Sequence, residues 1–479
     1  MGPGDLEELR RLLPAARVET DADVRAVHRH DFWPRLIMAV RRGDDLPLPA
    51  AVVSPADRDE VVAVLRWCHD RHVPVVPFGA GTGVCGGAAP HPHGITLDLK
   101  RMNAVVALDE VSGTVTVQPG IVGQALEDHL RHRGWTLGHF PSSNHCSTLG
   151  GLLAVRSAGQ ASSSYGKLED MVVGLEAVLA DGTLVNAKAV PSSAAGPDLK
   201  RLFLGGEGTT GVITEATLRI HPAPEATRYR GVLFPDVVTG MDAGRRLLRT
   251  GLRPTVFRLY DQADTALFAT SHDLDVPPGC LVVVGVEGRE DVAEFSDALF
   301  LQVLQTAGGE DLGPEPGERW RRHRHDVSYR FAEYVKPGGT FGDAVMLDTM
   351  EVAALWARLP EVYQRVRPAL QDHADLVLAH VSHVYAEGAS VYFTFGAAPR
   401  GDEAEALRRY DAAWDAGQRA ALDAGATISH HHGVGLLRVP WLADELGTGG
   451  WSLLQRVKRA VDPAAILNPG KLGLATDGR

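Results

Sequence analysis

The first half of the chain mixes short apolar runs with amphipathic segments. Residues 57–72 predict a helix, because Val61, Val62, Leu65 and Trp67 recur at approximately helical spacing. Helical patterns also cover residues 5–30, 123–133 and 149–157. Apolar runs bounded by Gly or Pro predict strands at 51–54, 95–99, 104–108, 114–117, 172–179, 183–188 and 212–214. Short strands and helices without regular alternation predict an α+β fold.

A change in composition after residues 221–224 marks a predicted domain boundary. Beyond it, the pattern predicts helices at 242–250, 291–307, 351–366, 403–424 and 451–461. Strands are predicted at 231–234, 280–287, 376–382 and 390–395. We therefore divide the chain into an N-terminal helical segment (1–45), a loop-rich domain (46–224), a second α+β domain (225–425) and a C-terminal segment (426–479).

The segment Val73–Gly87 joins an apolar run to a loop with five glycines. Glycines at this density let backbone N–H groups approach a ligand, and successive amides form a concavity suited to a diphosphate. Residues 81–86 also satisfy the GxGxxG fingerprint, which requires a helix directly after it. Prolines at 90 and 92, followed by a predicted strand, argue against that helix. The sequence therefore predicts a strand–loop–strand cradle for a diphosphate and not a Rossmann unit.

Composition and charge narrow the range of functions. A hydrophobic content of 44% and a charged content of 23% are ordinary for a globular protein. The net charge of −12 argues against a nucleic-acid partner. Four cysteines without a CxxC pair indicate a reducing compartment and no structural zinc. An acidic N-terminus and the lack of a long apolar run argue against a signal peptide or membrane span, so we expect a cytoplasmic protein.

Three polar, Gly-rich loops together resemble those of a known flavoprotein group. Residues 77–87, 142–151 and 207–213 are similar, in order and spacing, to the PCMH-type FAD-binding domain of the vanillyl-alcohol oxidase superfamily. The closing segment 462–471 is similar too. The resemblance implies a two-subdomain FAD-binding domain at 46–224, an α+β cap (substrate) domain at 225–425, and a C-terminal segment that returns to the active site. The diphosphate of FAD would lie against the first loop.

This resemblance implies FAD-binding residues in all three loops. In the first loop they are Pro77, Gly79, Ala80, Gly81, Thr82 and Gly83. In the second loop and the turn after it they are Ser142, Ser143, Ser147, Thr148, Gly151, Arg156 and Ser157. In the third they are Glu207, Gly208, Gly211, Val212 and Ile213. A non-covalent flavin is expected, with Cys85 and His145 as the alternative attachment points.

Further segments resemble the alkyldihydroxyacetonephosphate synthase family. They are residues 138–139, 165–173, 388–395 and 429–435, the last with three consecutive histidines. That family exchanges the acyl group of acyl-dihydroxyacetone phosphate for a fatty alcohol, with FAD as a covalent scaffold at N5 and no net redox change. The resemblance implies proton transfer by His139 and a substrate contact from Tyr392. It also implies an active-site loop formed by His430, His431 and His432. Arg330 would bind the substrate phosphate.

The chain also departs from that family. It has Ser142–Cys146 where the family carries acidic residues, and Ala344–Leu347 where the family offers a serine. Its closing segment, Asn468-Pro-Gly-Lys, is more typical of 2-hydroxy-acid dehydrogenases. The alternative is therefore FAD-linked oxidation of a 2-hydroxy acid or related alcohol, with a histidine base. Either function implies a small-molecule or lipid-like substrate, and a homodimer is one alternative for the assembly.

Three consecutive histidines could also indicate a metal site or a surface loop. Zinc takes three or four ligands, and no second motif lies at ligand spacing. Neighbouring side chains of an extended backbone also point to opposite faces. We therefore expect no metal and predict acid–base chemistry, for which an unperturbed histidine pKa of about 6.5 is suited.

Overall fold

The computed structural model describes residues 1–326, 345–398 and 402–474. The helices are α1 (Pro3–Leu12), α2 (Ala22–Ala26), α3 (Pro34–Arg42), α4 (Arg58–Arg71), α5 (Gly123–Arg131), α6 (Leu149–Ala154), α7 (Ser162–Tyr165), α8 (Leu168–Met171), α9 (Val237–Leu248), α10 (Gln262–Ser271), α11 (Glu290–Thr306), α12 (Glu315–His323), α13 (Leu359–Gln371), α14 (Glu403–Asp423) and α15 (Val439–Val461). The strands are β1 (Val18–Glu19), β2 (Ala51–Val53), β3 (Val75–Phe78), β4 (Ile95–Asp98), β5 (Val105–Asp109), β6 (Thr114–Val117), β7 (Trp135–Thr136), β8 (Val172–Val178), β9 (Leu184–Ala187), β10 (Val212–Arg219), β11 (His221–Pro222), β12 (Ala226–Phe234), β13 (Val256–Tyr260), β14 (Cys280–Gly288), β15 (Glu310–Asp311), β16 (Met346–Leu355), β17 (Leu376–Val384) and β18 (Gly388–Ala397).

The first half of the chain forms two larger sheets and a two-stranded one, β11-β7. A four-stranded sheet has the order β1-β2-β4-β3, with parallel pairing of β4 to β2 and to β3. An antiparallel five-stranded sheet has the order β5-β6-β10-β8-β9. The first Gly loop connects β3 to β4 without a helix, as its prolines predict. The α+β prediction is confirmed, and each of the two larger sheets carries a hydrophobic core of its own.

The second half is built on a seven-stranded antiparallel sheet, of order β15-β12-β14-β13-β17-β18-β16. One row of paired residues, Leu259, Val381, Val391 and Val352, faces the main hydrophobic core. Because side chains alternate along a strand, the neighbouring row lies on the opposite face. That row is polar and consists of Tyr260, His380, Tyr392 and Glu351. The alternation therefore places titratable side chains in one line across the sheet.

One predicted helix of the second half is wrong. Residues 351–366 were expected to be helical, but residues up to Leu355 belong to β16, and α13 begins only at Leu359. The Ala and Leu residues of this segment favour a helix only weakly. Pairing of ten residues of β16 with β18 outweighs that preference. This pairing brings Glu351 onto the polar face of the sheet. The sequence pattern also missed α3, β13 and α10.

The two ends of the chain both reach the first Gly loop. The N–H of Phe32 donates to the carbonyl of Gly83 at 2.7 Å, just before α3. Near the C-terminus, Leu467 forms a β-bridge with Val75, and Asn468 Nδ2 donates to the carbonyl of Gly87 at 3.0 Å. These contacts fix the loop from both sides. Among the helices of the described residues, none has the length and apolar character required to cross a membrane.

Candidate functional site

The three predicted loops lie directly against one another. A Cβ at Gly79 would collide with Thr148 of the second loop, and one at Gly208 of the third would lie 2.9 Å from Pro77. Gly208 also has a φ of 74°, in the left-handed region that favours glycine. Glycine is thus required where the loops cross, and the crossing brings three separate segments to one cradle.

Hydroxyl groups connect the first two loops. Thr82 Oγ1 lies 2.8 Å from Ser147 Oγ, which donates to Ser143 Oγ at 2.7 Å. Ser142 Oγ accepts from Gln160 Nε2 at 3.4 Å. The other predicted residues of these loops are Ala80, Gly81, Gly83 and Gly151. The predicted hydroxyls therefore lie together, as an extended cofactor requires.

Some predicted FAD residues have side chains that are engaged elsewhere. Arg156 forms an ion pair with Glu169, and its side chain is half exposed. Val212 and Ile213 begin β10 and are buried in hydrophobic cores, so only their backbone can contribute to the cradle. Gly211 packs against an aromatic ring, and Ser157 is buried.

The cradle contains buried polar atoms that lack a hydrogen-bond partner within the described ranges. They include Thr148 Oγ1, Asn144 Oδ1 and both ring nitrogens of His139. Buried polar atoms are normally satisfied, so these atoms indicate a bound group. Close loop crossings, aligned hydroxyls and unsatisfied polar atoms fit the phosphates and polar ring edge of FAD.

His139 lies at the start of the second loop, ahead of Ser142. Its side chain is 3% exposed, and Gly159 approaches so closely that a Cβ there would lie 3.0 Å from Nδ1. Burial, with a smaller effect from the nearby charge of Lys167, lowers the pKa of His139 to about 3. The imidazole is therefore neutral at physiological pH and able to accept a proton from a bound partner.

The three consecutive histidines lie on a loop held by a buried ion pair. Glu351 and Arg438 are both fully buried and form a salt bridge. Glu351 Oε1 accepts from the N–H groups of His431, at 3.1 Å, and His432, at 2.8 Å. Burial opposes the charge, but the guanidinium of Arg438 keeps the pKa of Glu351 well below its usual range. The carboxylate is thus charged and fixes the loop to β16.

A second buried carboxylate holds the far end of the same loop. Glu207, from the third Gly loop, accepts from the N–H groups of Val434 at 2.6 Å and Gly435 at 2.8 Å. Burial raises the pKa of Glu207 to about 7. Glu207 was expected to contact the cofactor, but its carboxylate connects the FAD cradle to the histidine loop.

The imidazoles form a short hydrogen-bonded chain. Tyr385 Oη lies 3.0 Å from His430 Nε2, and His430 Nδ1 lies 2.9 Å from His431 Nδ1. His383 stacks on His430 at 5.2 Å, and its Nδ1 lies 2.7 Å from Ser162 Oγ. Burial lowers the pKa of His430 and His431 well below the usual value and that of His383 to about 3. The cluster is therefore neutral at pH 7.

Tyr392 lies beside this cluster on the polar face of the sheet. Its ring stacks on His380 at 4.8 Å and on His431 at 6.2 Å. Burial raises the pKa of Tyr392 to about 12, so its hydroxyl stays protonated. His432 Nδ1 lies 3.3 Å from Glu351 Oε2, although not in hydrogen-bonding geometry.

One nitrogen from each of His383, His430 and His431 lies within 4.8 Å of the others, close enough to hold a metal ion. Several ring nitrogens already have hydrogen-bonding partners within the cluster or at its edge. The geometry is therefore compatible with a metal ion and with a hydrogen-bonded cluster of imidazoles.

The sequence predicted some residues of this site and not others. Tyr392 and the three consecutive histidines do lie together. His139 is linked to them only through Lys167, which lies near it and donates to the carbonyl of His430 at 2.7 Å. Arg330 lies outside the described residues. The missed residues are Glu351, Arg438, His383, Tyr385 and Lys167. Polar residues alternating with apolar ones along β17 could have found His380, but His383 lies at an irregularity between Ser382 and Val384 where the alternation breaks. Glu351 was hidden by the wrong helix prediction.

Known proteins share this architecture. The family model of an FAD binding domain matches residues 49–188, and that of the C-terminal domain of FAD linked oxidases matches residues 223–472. Alkyldihydroxyacetonephosphate synthase of Trypanosoma brucei brucei is 31% identical, over 98% of this chain and 80% of its own. The uncharacterized FAD-linked oxidoreductase YgcU of Escherichia coli (strain K12) is also 31% identical, over 98% of this chain and 97% of its own.

A solved structure of an alkyldihydroxyacetonephosphate synthase has the same fold. It superposes with a TM-score of 0.81 at 27% identity and covers 98% of this chain and 86% of its own. The matched domains account for both the loop cradle and the histidine site. The chain is a flavoenzyme that uses FAD, and it belongs to the family that joins an FAD-binding domain to the C-terminal domain of FAD-linked oxidases.

Proposed function

We propose that the protein exchanges an acyl for an alkyl group on a ketose phosphate, as the name of its synthase relatives suggests. The observation that carries the proposal is that the loop of His430, His431 and His432 contacts Tyr392 of the cap sheet and is held to the third Gly loop through Glu207. In this reaction an ester carboxylate leaves, a fatty alcohol takes its place, and the alcohol releases one proton. The substrate is accordingly lipid-like.

FAD would be held by the three loops and would supply the electrophilic ring that activates the substrate carbon. The side chains of the protein would transfer the proton, and the histidine and tyrosine groups that do so are neutral. Nε2 of His431 has no hydrogen-bond partner within the described ranges, so it is available to the alcohol hydroxyl. Tyr392 keeps its proton and can donate a hydrogen bond to the ketone oxygen.

The hydrogen-bonded chain gives the accepted proton a path away from the substrate. When Nε2 of His431 takes a proton, Nδ1–H of His431 can pass one to Nδ1 of His430. His430 Nε2 can then donate to Tyr385 Oη, because all three groups are already aligned at 2.9 and 3.0 Å. Reversing the chain turns His431 from an acceptor into a donor, so one array serves both directions.

Oxidation of a 2-hydroxy acid or related alcohol is the second candidate. It is favoured by the closing Asn468-Pro-Gly-Lys segment, which lies against the first and third Gly loops through Asn468. It is also favoured by an oxidoreductase relative of almost the same length. The same histidine would then remove the hydroxyl proton while hydride passes to the flavin.

Anaerobic mixing distinguishes the two functions. The FAD-loaded protein is mixed with palmitoyl-dihydroxyacetone phosphate and hexadecanol, and separately with glycolate or D-lactate, while flavin absorbance is followed. Alkyl product and free palmitate without flavin bleaching support exchange. Bleaching by a hydroxy acid, with no alkyl product, contradicts exchange and supports oxidation.

Several finer assignments belong to the same proposal. The named loop residues bind FAD, and the domains end at residues 45, 224 and 425. The protein acts in the cytoplasm, with a homodimer as one alternative assembly. Its composition and its FAD-linked oxidase domains support a small-molecule reaction and no nucleic-acid partner.

A further inference from the structure

Asp31 contacts the first Gly loop from the N-terminal segment of the chain. Its side chain is 1% exposed, and Oδ1 accepts from the N–H of Trp33 at 3.1 Å. The N–H of Phe32 donates to the carbonyl of Gly83 at 2.7 Å. The ring of Trp33 lies so close to Gly86 that a Cβ there would be 2.6 Å from it. The residues after Asp31 therefore fix its carboxylate against the loop.

The second oxygen of Asp31 lies beside a predicted FAD-binding residue. A Cβ on Gly83 would lie 3.2 Å from Oδ2. Oδ2 is a buried atom without a hydrogen-bond partner in the part of the chain that the structure describes. The N–H groups of Gly86 and Ala88 favour the charged carboxylate, but neither is in hydrogen-bonding geometry with Oδ2. Because buried polar atoms normally have a partner, Oδ2 indicates a bound hydrogen-bond donor.

The charge of Asp31 is balanced from a distance. Burial raises the pKa of Asp31 to about 6, so its carboxyl group is mostly ionised at pH 7.5. Burial lowers the pKa of Lys471 to about 8, while the charges of Asp31 and Glu207 oppose that effect. The ammonium of Lys471, however, donates to the carbonyl of Ala89 at 2.5 Å. Lys471 thus compensates the charge while Oδ2 remains able to accept from another group.

The chemistry of FAD limits what this donor can be. The diphosphate carries acceptor oxygens and negative charge, so it would be repelled by a carboxylate. The groups on its two sides, the ribityl chain of the flavin half and the ribose of the adenosine half, carry hydroxyl groups. A carboxylate that accepts from a ribose hydroxyl is a known feature of other dinucleotide sites. A sugar hydroxyl therefore matches Oδ2, whereas a phosphate does not.

We propose that Asp31 binds FAD directly, with Oδ2 accepting a hydrogen bond from a sugar hydroxyl next to the diphosphate. The match to the FAD-binding domain begins only at residue 49, so Asp31 lies outside the matched domain. The N-terminal segment then completes the cofactor site and orients the diphosphate on the first Gly loop. This inference depends on the FAD cofactor alone and holds for either candidate reaction.

Calorimetric titration of the FAD-free protein tests the contact without turnover. Asp31→Leu should weaken FAD binding by about tenfold or more, because a charged hydrogen-bond acceptor is lost. Asp31→Asn keeps an oxygen acceptor and the same shape, so it should stay within about threefold of the unchanged protein. ADP and FMN then locate the hydroxyl, since ADP carries only the ribose and FMN only the ribityl chain. Asp31→Leu should weaken the binding of one of these two and spare the other.

The matched control is Asp23→Leu, which removes an exposed aspartate of α2 and should bind FAD, ADP and FMN like the unchanged protein. Unchanged FAD affinity in Asp31→Leu contradicts the proposal. Equal weakening of ADP and FMN also contradicts it, because both carry phosphate and Asp31 would then affect only the shape of the loop. A loss in Asp31→Asn as large as that in Asp31→Leu excludes the acceptor role. None of these outcomes depends on acyl–alkyl exchange, so failure of that function is detected separately.

Discussion

At the scale of single residues, the buried His139 makes the protein sensitive to acid. Its pKa of about 3 in the folded chain lies below the value of 6.5 that an unfolded chain would show. The unfolded state therefore binds more protons between pH 6.5 and 3, and stability falls as the pH decreases through that window. His139→Gln should remove this contribution, which amounts to about 2 kcal/mol between pH 7.5 and pH 5.

Urea unfolding at pH 7.5 and pH 5 measures this effect. The His139→Gln protein should lose about 2 kcal/mol less on acidification than the unchanged protein. His132→Gln is the control, because His132 is exposed and its replacement should leave the acid response as it was. Equal acid responses of the His139 variant and the unchanged protein would contradict the burial of a neutral ring.

Tyr385 tests the proton path. Tyr385→Phe removes only the hydroxyl that contacts His430 Nε2, so substrate binding should persist while turnover falls roughly 10- to 100-fold. The solvent deuterium isotope effect on turnover should also change. Tyr363→Phe is the control, since its hydroxyl contacts Asp261 and not the histidines. Unchanged turnover and isotope effect in Tyr385→Phe would exclude the relay.

At the scale of elements, the histidine loop depends on one glycine. Gly435 has a φ of 54°, and a Cβ there would collide with the carbonyl of Cys85 in the first Gly loop. Gly447 has a similar φ of 64° with no atom within 4 Å of its Cβ position. Both Ala substitutions incur backbone strain of about 1–3 kcal/mol, and only Gly435→Ala adds a collision.

Thermal unfolding and FAD content separate these two effects. Gly447→Ala should lower the midpoint slightly and retain FAD. Gly435→Ala should lower it further and reduce FAD occupancy, because the loop would have to move away from the cradle. Equal losses in both variants would show that the contact with Cys85 is unimportant.

At the scale of the whole molecule, two expectations about bound groups can be checked together. Purified protein should carry FAD, and removal of FAD should lower the melting temperature, since saturation at 100 times Kd stabilises by about 2.7 kcal/mol. Metal analysis should give substoichiometric zinc, and EDTA should leave turnover unchanged. One tightly bound metal per chain, lost together with activity, would replace the acid–base role of the three consecutive histidines with metal binding at His383, His430 and His431.

The sequence predicted those elements whose structure is set by residues close together in the chain, and it failed for elements that depend on contacts between distant residues. Helix α4 and most longer strands of the first domain were predicted within one or two residues, because periodicity and Gly or Pro boundaries are short-range. Strand β10 extends five residues beyond its predicted end, and the two-residue strands β7 and β11 were not predicted. Residues 351–355, the second half of β16, were predicted as part of a helix, since the pairing of β16 with β18 joins residues about 40 positions apart. Which side chains of β16 are buried follows from that strand pairing and not from the amino-acid sequence of β16 alone.

The sequence by itself indicated a Gly-rich loop suited to a diphosphate and three consecutive histidines, and its resemblance to a flavoprotein family indicated FAD. Glycines and hydroxyl residues that are close in sequence indicate a phosphate-binding loop. The backbone freedom of glycine and the hydrogen-bonding capacity of a hydroxyl group do not depend on distant residues. Only the tertiary structure decided how that chemistry is arranged. Sheet pairing placed His380, Tyr392 and Glu351 in one row, and burial made His430 and His431 neutral. Such row contacts and desolvation exist only once distant strands pair, so no local pattern could reveal them.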